Sequence, residues 1–372
     1  MKRIISAALA AVMCLAPFAA FAGSFQQEIK SYPWAREAVQ YCFDGGIMTG
    51  DDKGDMNLGD NITRAQMAKI FSEAFDLSPI SNYEFRDVPR DSWYYRYSRN
   101  MMGGRLLKSA YNTIGWYFHG EQYVTREEFA AVLVRCSHDN EASENCAVIN
   151  YSFKDADEVD EDYKYYVETA VKNLYVLGDD NAELRPKALL TRAEACCILY
   201  RALEPDADKT PITGESEVTV EQAISWATKC GGSELFIQAA PLYWYWGNVF
   251  GLRADVMYAQ AGKETAYGNY GGAVLPEMNN WAGIKKRGHN DDATEDHESF
   301  ATPEDGVRAH FNHMSAYVGL EPVDEVHERY YSIKSMDWAG SVKYVEQLGG
   351  KWCPDINYGY QILGMVEEMK KY

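Results

Sequence analysis

The stretch AQAGKETAYGNYGGAVLPEMNNWAGIK, from Ala259 to Lys285, decides the fold of the C-terminal half of this chain. It begins inside an apolar run at helical spacing, and that run ends at Glu264. Glycines break the chain directly afterwards, and the polar and aromatic segment 279–281 follows. We therefore predict a helix that ends with a carboxylate at a cleft, partly buried and still within reach of a ligand.

Glu264 has the setting of a general acid. Helices are predicted over Glu234–Val249 and Arg253–Tyr267, and Glu264 lies near the end of the second. A partly buried carboxyl keeps its proton near neutral pH, as proton donation to a glycosidic oxygen requires. Although a glutamate at a helix end is most often a solvated surface residue, the glycine turn and the NNWAGIK run beside it favour catalysis.

Two motifs, AQAGKETAYG and NNWAGIK, give the chain from about Glu234 onwards a resemblance to the glucosaminidase domains of glycoside hydrolase family 73. The resemblance implies a lysozyme-like α+β domain that cuts the glycan strand of peptidoglycan, with Glu264 as the general acid. It also matches Tyr358, in WCPDINYGYQI, to a functional tyrosine of a YA-like motif, although Gly359 follows it here. Tyr358 either assists catalysis or packs as an aromatic ring under the cleft.

The same resemblance implies sugar contacts around the acid. The NNxxGIK pattern lines the sugar cleft of lysozyme-like hydrolases, which makes Asn280 a candidate for substrate binding. Tyr267 and Trp281 are expected to stack on sugar rings, because they lie next to Glu264 in the sequence.

A second carboxylate is expected from the acidic loop Gly288–Phe300, which follows the cleft motif. Glu295 is our choice, because related domains often place an acidic residue shortly before the phenylalanine that Phe300 matches. A solvated run of charges is the alternative for each member of the set, which comprises Asp291, Asp292, Glu295, Asp296 and Glu298.

Histidines are concentrated in the same half, and His310 and His313 are spaced three residues apart. No HExxH or other standard ligand pattern is present, so we expect neither a metal nor a cofactor. Hydrogen bonds that fix the lobe to the core are the expected role of these two side chains.

One motif recurs three times in the N-terminal half, as ITRAQMAKIFSEAF at Ile62–Phe75, VTREEFAAVLVRC at Val124–Cys136 and LTRAEACCILYRAL at Leu190–Leu203. Each copy opens with a threonine suited to capping a helix and continues with apolar residues at three- and four-residue steps. Three amphipathic helices are therefore predicted.

These repeats, with FRDVP at Phe85–Pro89 and FKDAD at Phe153–Asp157, resemble S-layer homology domains. The resemblance implies a pseudo-threefold helical unit that holds pyruvylated polysaccharide of the cell wall. An arginine in the first helical turn beside an aromatic ring suits a ketal carboxylate on a sugar. The candidate residues for wall-polymer binding are Trp34, Arg64, Trp93, Arg126 and Arg192.

A formal net charge of -19 makes nucleic acid an unfavourable partner. Lys2 and Arg3 precede an apolar run that ends at Ala20-Phe21-Ala22, as in a secretory signal peptide, and no later stretch is long and apolar enough to cross a bilayer. We expect a signal peptide over 1–22, repeats over 23–80, 81–146 and 147–204, a linker over 205–217 and a catalytic domain over 218–372.

The sequence thus predicts a mostly helical, exported protein that is attached to the cell wall and hydrolyses peptidoglycan. Endo-β-N-acetylglucosaminidase is the leading activity, and a muramidase or lytic transglycosylase would use the same glutamate. A non-catalytic wall-binding or S-layer structural protein is the alternative from another class.

Overall fold

The computed structural model describes residues 25, 27–51, 54–79, 84–101, 110–112, 115–137, 147–289 and 291–372. The predicted signal peptide, 1–22, lies outside these residues. Contacts divide the chain into two compact units, Met1–Ala207 and Asp208–Tyr372. The predicted mostly helical fold is confirmed.

Short and medium helices build the first unit. They are α1 (Arg36–Asp44), α2 (Arg64–Ala74), α3 (Tyr95–Asn100), α4 (Arg126–Ser137), α5 (Ala147–Ser152), α6 (Glu161–Lys172) and α7 (Arg192–Leu203). A two-stranded antiparallel ribbon, β1 (Ala110–Asn112) and β2 (Gly115–Tyr117), sets Tyr111 opposite Trp116.

The predicted repeat helices are α2, α4 and α7, and each begins directly after its threonine. The hydroxyls of Thr63, Thr125 and Thr191 accept the N–H of the residue three positions later. The side chain of that later residue accepts the threonine N–H in return, so two otherwise unpaired donors are satisfied at each helix start. The predicted N-caps are confirmed.

A closed ring of backbone hydrogen bonds joins the three repeats. Ile62 N–H donates to Leu190 O at 2.9 Å, Leu190 N–H to Val124 O at 3.0 Å, and Val124 N–H to Ile62 O at 3.1 Å. Because each residue directly precedes its capping threonine, the ring brings the three helix starts together with approximate threefold symmetry.

The second unit packs six helices around one aromatic core. They are α8 (Val220–Lys229), α9 (Glu234–Phe250), α10 (Ala254–Glu264), α11 (Pro303–Val318), α12 (Glu328–Lys334) and α13 (Tyr358–Met369). Helix α10 is buried along almost its whole length, and Tyr258 on it stacks against Phe236 of α9 with 4.3 Å between ring centroids. The lobe after α10 carries an isolated antiparallel bridge between Lys285 and His297.

Helix α10 ends at Glu264, three residues before the predicted end at Tyr267. The backbone turns left-handed at Ala266, Tyr267 and Gly268, with φ of 48°, 58° and 73°. A side chain at Gly268 would place its Cβ only 2.4 Å from the Ser233 hydroxyl oxygen, so this tight turn requires glycine. The turn therefore fixes Glu264 as the last helical residue.

Part of the predicted linker belongs to the second unit. Ile212 is fully buried in its core, and Arg253 N–H donates to Ile212 O at 2.9 Å. Pro211 and Thr213 form single bridges with Tyr344 and Leu252. The segment free to act as a linker is correspondingly shorter than 205–217.

Candidate active site

Glu264 lies in a cleft of about 510 Å³ in the second unit. Its Oε1 accepts hydrogen bonds from the hydroxyl of Tyr358 and from Nε1 of Trp352, the latter at 3.2 Å. Although the side chain is exposed to the cleft, the surrounding protein desolvates the carboxyl and raises its pKa. The two donors and the charge of Lys263 oppose that rise without cancelling it.

Gly283 brings backbone close to the other carboxyl oxygen. A Cβ at Gly283 would lie 3.9 Å from Oε2 of Glu264, and the residue has a φ of 58°. Since Oε1 already accepts two hydrogen bonds, Oε2 is the oxygen available to carry a transferable proton.

A buried chain of hydrogen bonds leads from Glu264 into the core. The amide Nε2 of Gln260 donates to the Tyr358 hydroxyl oxygen at 3.1 Å, and its Oε1 lies 3.0 Å from Nε2 of His310. Nδ1 of His310 lies 3.1 Å from the hydroxyl of Tyr243. Gln260, His310, Tyr243 and Tyr358 are all buried.

All hydrogen bonds in this series run in one direction, with each group donating to the next one towards Glu264. Because Tyr358 uses its hydrogen on Glu264, its oxygen accepts from the Gln260 amide, and the Gln260 carbonyl must then accept from His310. His310 is therefore neutral with its hydrogen on Nε2, and Nδ1 accepts from Tyr243. Burial lowers the pKa of His310 to about 3, which keeps this tautomer uncharged.

Aromatic rings and positive charges line the rest of the cleft. Tyr317, Trp338 and Trp352 supply the rings, and neighbouring pairs among them have centroids 5.1 Å apart. The charged residues among those that line it are Glu264, Lys285, Arg329 and Lys351. The cleft thus offers stacking surfaces for sugars and a single carboxylate.

The structure contradicts two of the predicted sugar contacts. Trp281 is 0% exposed, and its Nε1 donates to Pro303 O at 3.1 Å, so the ring belongs to the core. Asn280 is also 0% exposed, with Nδ2 donating to Ile284 O and Glu298 O and Oδ1 accepting from Ile284 N. Both support the loop that forms the cleft from its core side, and neither is among the residues that line the cleft.

The prediction for Tyr267 is also corrected. Its ring packs edge-on against Trp226 and Phe236, with centroids 5.3 and 6.3 Å apart. It is absent from the cleft lining. The left-handed turn after Glu264 directs Tyr267 back onto the core, so its proximity to Glu264 in the sequence does not place it in the cleft.

Glu295 is exposed in a single 3-10 turn, Thr294–Asp296, and is not part of the cleft lining. Asp296 is the buried acid of this loop, held 2.5 Å from Nδ1 of His289. Asp292 forms an ion pair with Lys285 at 3.0 Å. The role of Glu295 in activating water remains a prediction without geometric support in this conformation.

The residue after Tyr358 is Gly359, where the matched motif has alanine, and this difference has a steric reason. A Cβ on this residue would lie 2.2 Å from Val345 O and 2.6 Å from the Glu346 Cα. Only glycine therefore lets α13 approach that backbone closely enough for Tyr358 to reach Glu264.

The three repeat arginines of the first unit are 5 to 8% exposed and form a second ring. Nε of Arg64 donates to Phe118 O at 2.8 Å, Nε of Arg126 to Leu184 O at 2.9 Å, and Nε of Arg192 to Met56 O at 2.5 Å. Each acceptor stands eight residues before the arginine of another repeat. The arginines thus tie the repeats to one another.

The three arginines differ in the residue opposite. Arg64 lies 3.8 Å from the carboxylate of Glu128, and Arg126 lies 3.3 Å from that of Glu194. The equivalent position facing Arg192 holds the neutral Gln66. Arg192 has no carboxylate within ion-pair distance in the described part of the chain.

A cavity of about 460 Å³ opens beside Arg192. Gln66, Lys69 and Trp93 line it, and Trp93 is 56% exposed. Asp51 and Asp60 line it too, although Asp51 accepts the backbone N–H of Asp55 at 3.0 Å. Trp34, the other predicted aromatic residue, is also exposed and packs edge-on against Tyr32.

Comparison with known families decides what these two units are. Residues 240–371 match the glucosaminidase family, described as mannosyl-glycoprotein endo-beta-N-acetylglucosaminidase, and residues 29–68 and 152–196 match the S-layer homology domain. The chain combines S-layer homology domains with a glucosaminidase domain. The cleft around Glu264 lies in the glucosaminidase domain, and the Arg192 cavity lies in the S-layer homology unit.

Similar proteins include the surface-layer 125 kDa protein of Lysinibacillus sphaericus, 30% identical over 54% of this chain and 17% of that protein. An uncharacterized protein of Borreliella burgdorferi is 29% identical over 33% of this chain and 57% of its own length. The cellulosome-anchoring protein of Acetivibrio thermocellus is 27% identical over 45% of this chain and 37% of that protein. The chain covers less than two thirds of each of these relatives.

The sequence analysis did not identify several contacts that shape the two sites. Trp352 stands 88 positions from Glu264, so no local pattern links the two. Gln260 lies inside the AQAGKETAYG motif and His310 is one of the histidines noted in the sequence, but the contact between them spans 50 residues. Gln66 was detectable, since aligning the three repeats sets it against Glu128 and Glu194.

Neither a cluster of metal ligands nor a membrane-spanning helix is found among the described residues. No three histidine, cysteine, aspartate or glutamate side chains among them converge as ligands for a metal ion. None of the described helices combines the length and the apolarity needed to cross a bilayer.

Proposed function

We propose that this protein is a cell-surface peptidoglycan hydrolase, held at the wall by its S-layer homology unit and cleaving glycan strands with its glucosaminidase domain. The position of Glu264 carries the proposal: it lies in an aromatic-lined cleft of a domain that matches the glucosaminidase family, where desolvation raises the pKa of its carboxyl. These are the properties of a general acid for glycosidic cleavage.

In the proposed reaction, protonated Glu264 donates from Oε2 to the glycosidic oxygen as the bond to the anomeric carbon breaks. The leaving sugar takes the proton, and the carboxylate that remains accepts the hydrogen bonds of Tyr358 and Trp352. Water then adds to the positively charged anomeric carbon and loses a proton to the water-activating carboxylate, and exchange with solvent returns a proton to Glu264. Donors fixed in advance stabilise the carboxylate as its charge develops.

In this proposal Tyr358 stabilises the carboxylate of Glu264 by a hydrogen bond, and Gln260 and His310 are positioning residues that orient Tyr358. Their hydrogen-bond chain fixes the Tyr358 hydroxyl so that its hydrogen faces Oε1. Glu264 is the only carboxylate in the described cleft lining. Glu295 stays our prediction for the water-activating group, and activity of Glu295→Gln equal to wild type would exclude it.

The leading activity is endo-β-N-acetylglucosaminidase, in line with the activity that describes the matching family. A muramidase or lytic transglycosylase would cut the other bond of the strand with the same acid. Release of soluble fragments from purified peptidoglycan tests the shared claim. Wild type should release them, and Glu264→Gln, which preserves shape and removes the transferable proton, should not.

For wall attachment we propose the Arg192 cavity as the main polymer site. A ketal carboxylate brings a negative charge, and Arg192 is the repeat arginine with no carboxylate within ion-pair distance in the described chain, although Asp51 and Asp60 line the same cavity. Lys69 adds a second cation, and the exposed ring of Trp93 offers a stacking surface. Arg64 and Arg126, each beside a glutamate, are assigned to holding the repeats together.

The domain division predicted above is part of the proposal. The boundary between the two compact units after Ala207 and the family matches at 29–68, 152–196 and 240–371 support it. Export and location at the cell surface are proposed on the S-layer homology domains and on the similarity to the surface-layer protein of Lysinibacillus sphaericus.

A further inference from the structure

Arg329, on helix α12, is a half-buried cation in the cleft that holds Glu264. The structure gives it no hydrogen bond or ion pair with any described residue. Most residues that line this cleft are aromatic or apolar, and Ile333, Met336 and Trp338 are among them. A half-buried guanidinium with neither a carboxylate nor a carbonyl partner is costly to the protein alone.

The positive charge of Arg329 influences the pKa of two neighbouring side chains, Tyr317 and His313. Burial raises the pKa of Tyr317, and the positive charge of Arg329 opposes that rise. For His313, burial together with the neighbouring histidines and Arg329 lowers the pKa well below its usual range. His313 is therefore neutral at physiological pH and cannot supply a charge that balances Arg329.

The sign of the cleft is opposite to that of the chain. The chain carries a formal net charge of -19, yet three of the four charged residues lining the cleft, Lys285, Arg329 and Lys351, are cations. Lys285 is paired with Asp292 at 3.0 Å. Glu264 must hold a proton to act as an acid, so the catalytically competent cleft is positive.

We propose that Arg329 binds a carboxylate of the substrate, so that the cleft selects acidic glycan strands over neutral polymers of N-acetylglucosamine. The proposal rests on the proposed function, because it assumes that a wall glycan occupies this cleft. A guanidinium can hold a carboxylate through two parallel hydrogen bonds, which gives direction as well as affinity.

Two parts of peptidoglycan supply carboxylates. One is the lactyl group of muramic acid, free wherever the stem peptide has been removed, and the other is the stem peptide itself. Trp338 and Trp352 line the same cleft as Arg329, so a glycan strand that stacks on these rings occupies the cleft that contains the guanidinium.

The test is a binding measurement on the full chain carrying Glu264→Gln, so that no probe is consumed. Three soluble glycan probes of equal length are titrated by calorimetry: strands with stem peptides, stem-free strands with free lactyl carboxylates, and stem-free strands whose lactyl groups have been converted to methylamides. The affinity of each probe is measured for three proteins, all carrying Glu264→Gln: one that keeps Arg329, one with Arg329→Gln and one with Arg329→Lys.

Arg329→Gln should weaken binding of at least one carboxylate-bearing probe by roughly tenfold or more, as loss of a charge-assisted hydrogen bond does. Binding of the methylamide strand should stay within about twofold, which also shows that the variant is folded. Arg329→Lys should recover part of the loss. The carboxylate-bearing probe that loses affinity identifies the source of the carboxylate.

A matched control removes one positive charge from an exposed position outside the cleft lining, as Lys343→Gln does. This change should leave all three affinities unaltered. Equal weakening of charged and neutral probes by Arg329→Gln, or no weakening of any, overturns the proposal, and so does an absence of binding to all three. Arg329-dependent binding with no glycan cleavage by the wild-type chain would support the proposal and reject the proposed function.

Discussion

The hydroxyl of Tyr358 donates a hydrogen bond to Oε1 of Glu264 from the first turn of helix α13. This contact favours the charged carboxylate, whereas the crowded cleft favours the protonated acid. The balance leaves the pKa of Glu264 raised, with the proton available on the oxygen that Tyr358 does not touch. The contact therefore links the acid strength of Glu264 to the packing of α13.

Replacing Tyr358 by phenylalanine should change the pH profile as well as the rate. The change removes a donor that lowers the pKa of Glu264, so that pKa should rise further and the alkaline limb of kcat/KM should move to higher pH. We expect kcat to fall by roughly tenfold to a hundredfold, because the developing carboxylate loses a stabilising donor. Tyr360→Phe, on the same helix, is the control. An alkaline limb that moves to lower pH would contradict this role.

Gln260→Met should separate positioning from folding. The substitution nearly preserves volume but removes both amide contacts, leaving the Tyr358 hydroxyl free to turn and His310 Nε2 without its acceptor. We expect a loss of about 1–3 kcal/mol in the free energy of unfolding. Below the unfolding temperature we expect kcat to fall by roughly tenfold with KM little changed.

The exposed Gln238, whose side-chain amide donates to Glu234 four residues away, provides the matched control as Gln238→Met. If Gln260→Met lowers stability but leaves kcat unchanged, the hydrogen-bond chain stabilises the fold and does not assist catalysis.

Glu264 should make the folded protein less stable at neutral pH. A carboxyl with a raised folded-state pKa contributes stability that is fully present below its unfolded pKa and is lost as the pH rises through the folded value. Glu264→Gln carries no such penalty, so its melting temperature should exceed that of wild type at pH 7. The difference should vanish below about pH 4, near the usual pKa of glutamate. Thermal scans across this range would refute the prediction if wild type were the more stable at pH 7.

Gln66→Glu should weaken binding of the wall polymer at the Arg192 cavity without destabilising the repeat. Glutamate already caps the equivalent helix starts as Glu128 and Glu194, so the capping contact with Thr63 should survive. The added carboxylate would face Arg192 and compete with an anionic ligand. We expect binding to walls carrying pyruvylated polymer to fall by roughly tenfold or more, an effect of one added like charge in a half-buried site.

Glu128→Gln is the companion variant, because it removes the carboxylate beside Arg64. It should leave wall binding equal to wild type or slightly stronger. Undiminished sedimentation of Gln66→Glu with such walls would move the polymer site elsewhere in the unit.

Local motifs predicted the centre of each unit. Helix starts at Thr63, Thr125 and Thr191 and the placement of Glu264 at a helix end depend on residues within a few positions of one another, so the sequence contains them directly. The hydrogen-bond chain behind Tyr358 depends on contacts that span 50 to 98 residues. Such pairs arise only from the packing of α9, α10, α11 and α13.

The errors around Glu264 have one physical origin. Asn280 and Trp281 follow the acid closely in sequence, but which side of the loop they occupy depends on how α9 and α11 close over it. Burial of the large apolar surface of Trp281 against Phe236 stabilises the fold more than exposure of the ring to water in the cleft would. The ring that does reach Glu264, Trp352, comes instead from the segment before α13.

Mass spectrometry of the fragments released from purified peptidoglycan tests the central claim most directly, because the reducing-end sugar identifies the bond that was cut. Wild type should yield fragments that end in reducing N-acetylglucosamine, and Glu264→Gln should yield none above background. Fragments ending in 1,6-anhydromuramic acid, or equal release by Glu264→Gln, would contradict hydrolysis by an N-acetylglucosaminidase that uses Glu264 as its acid.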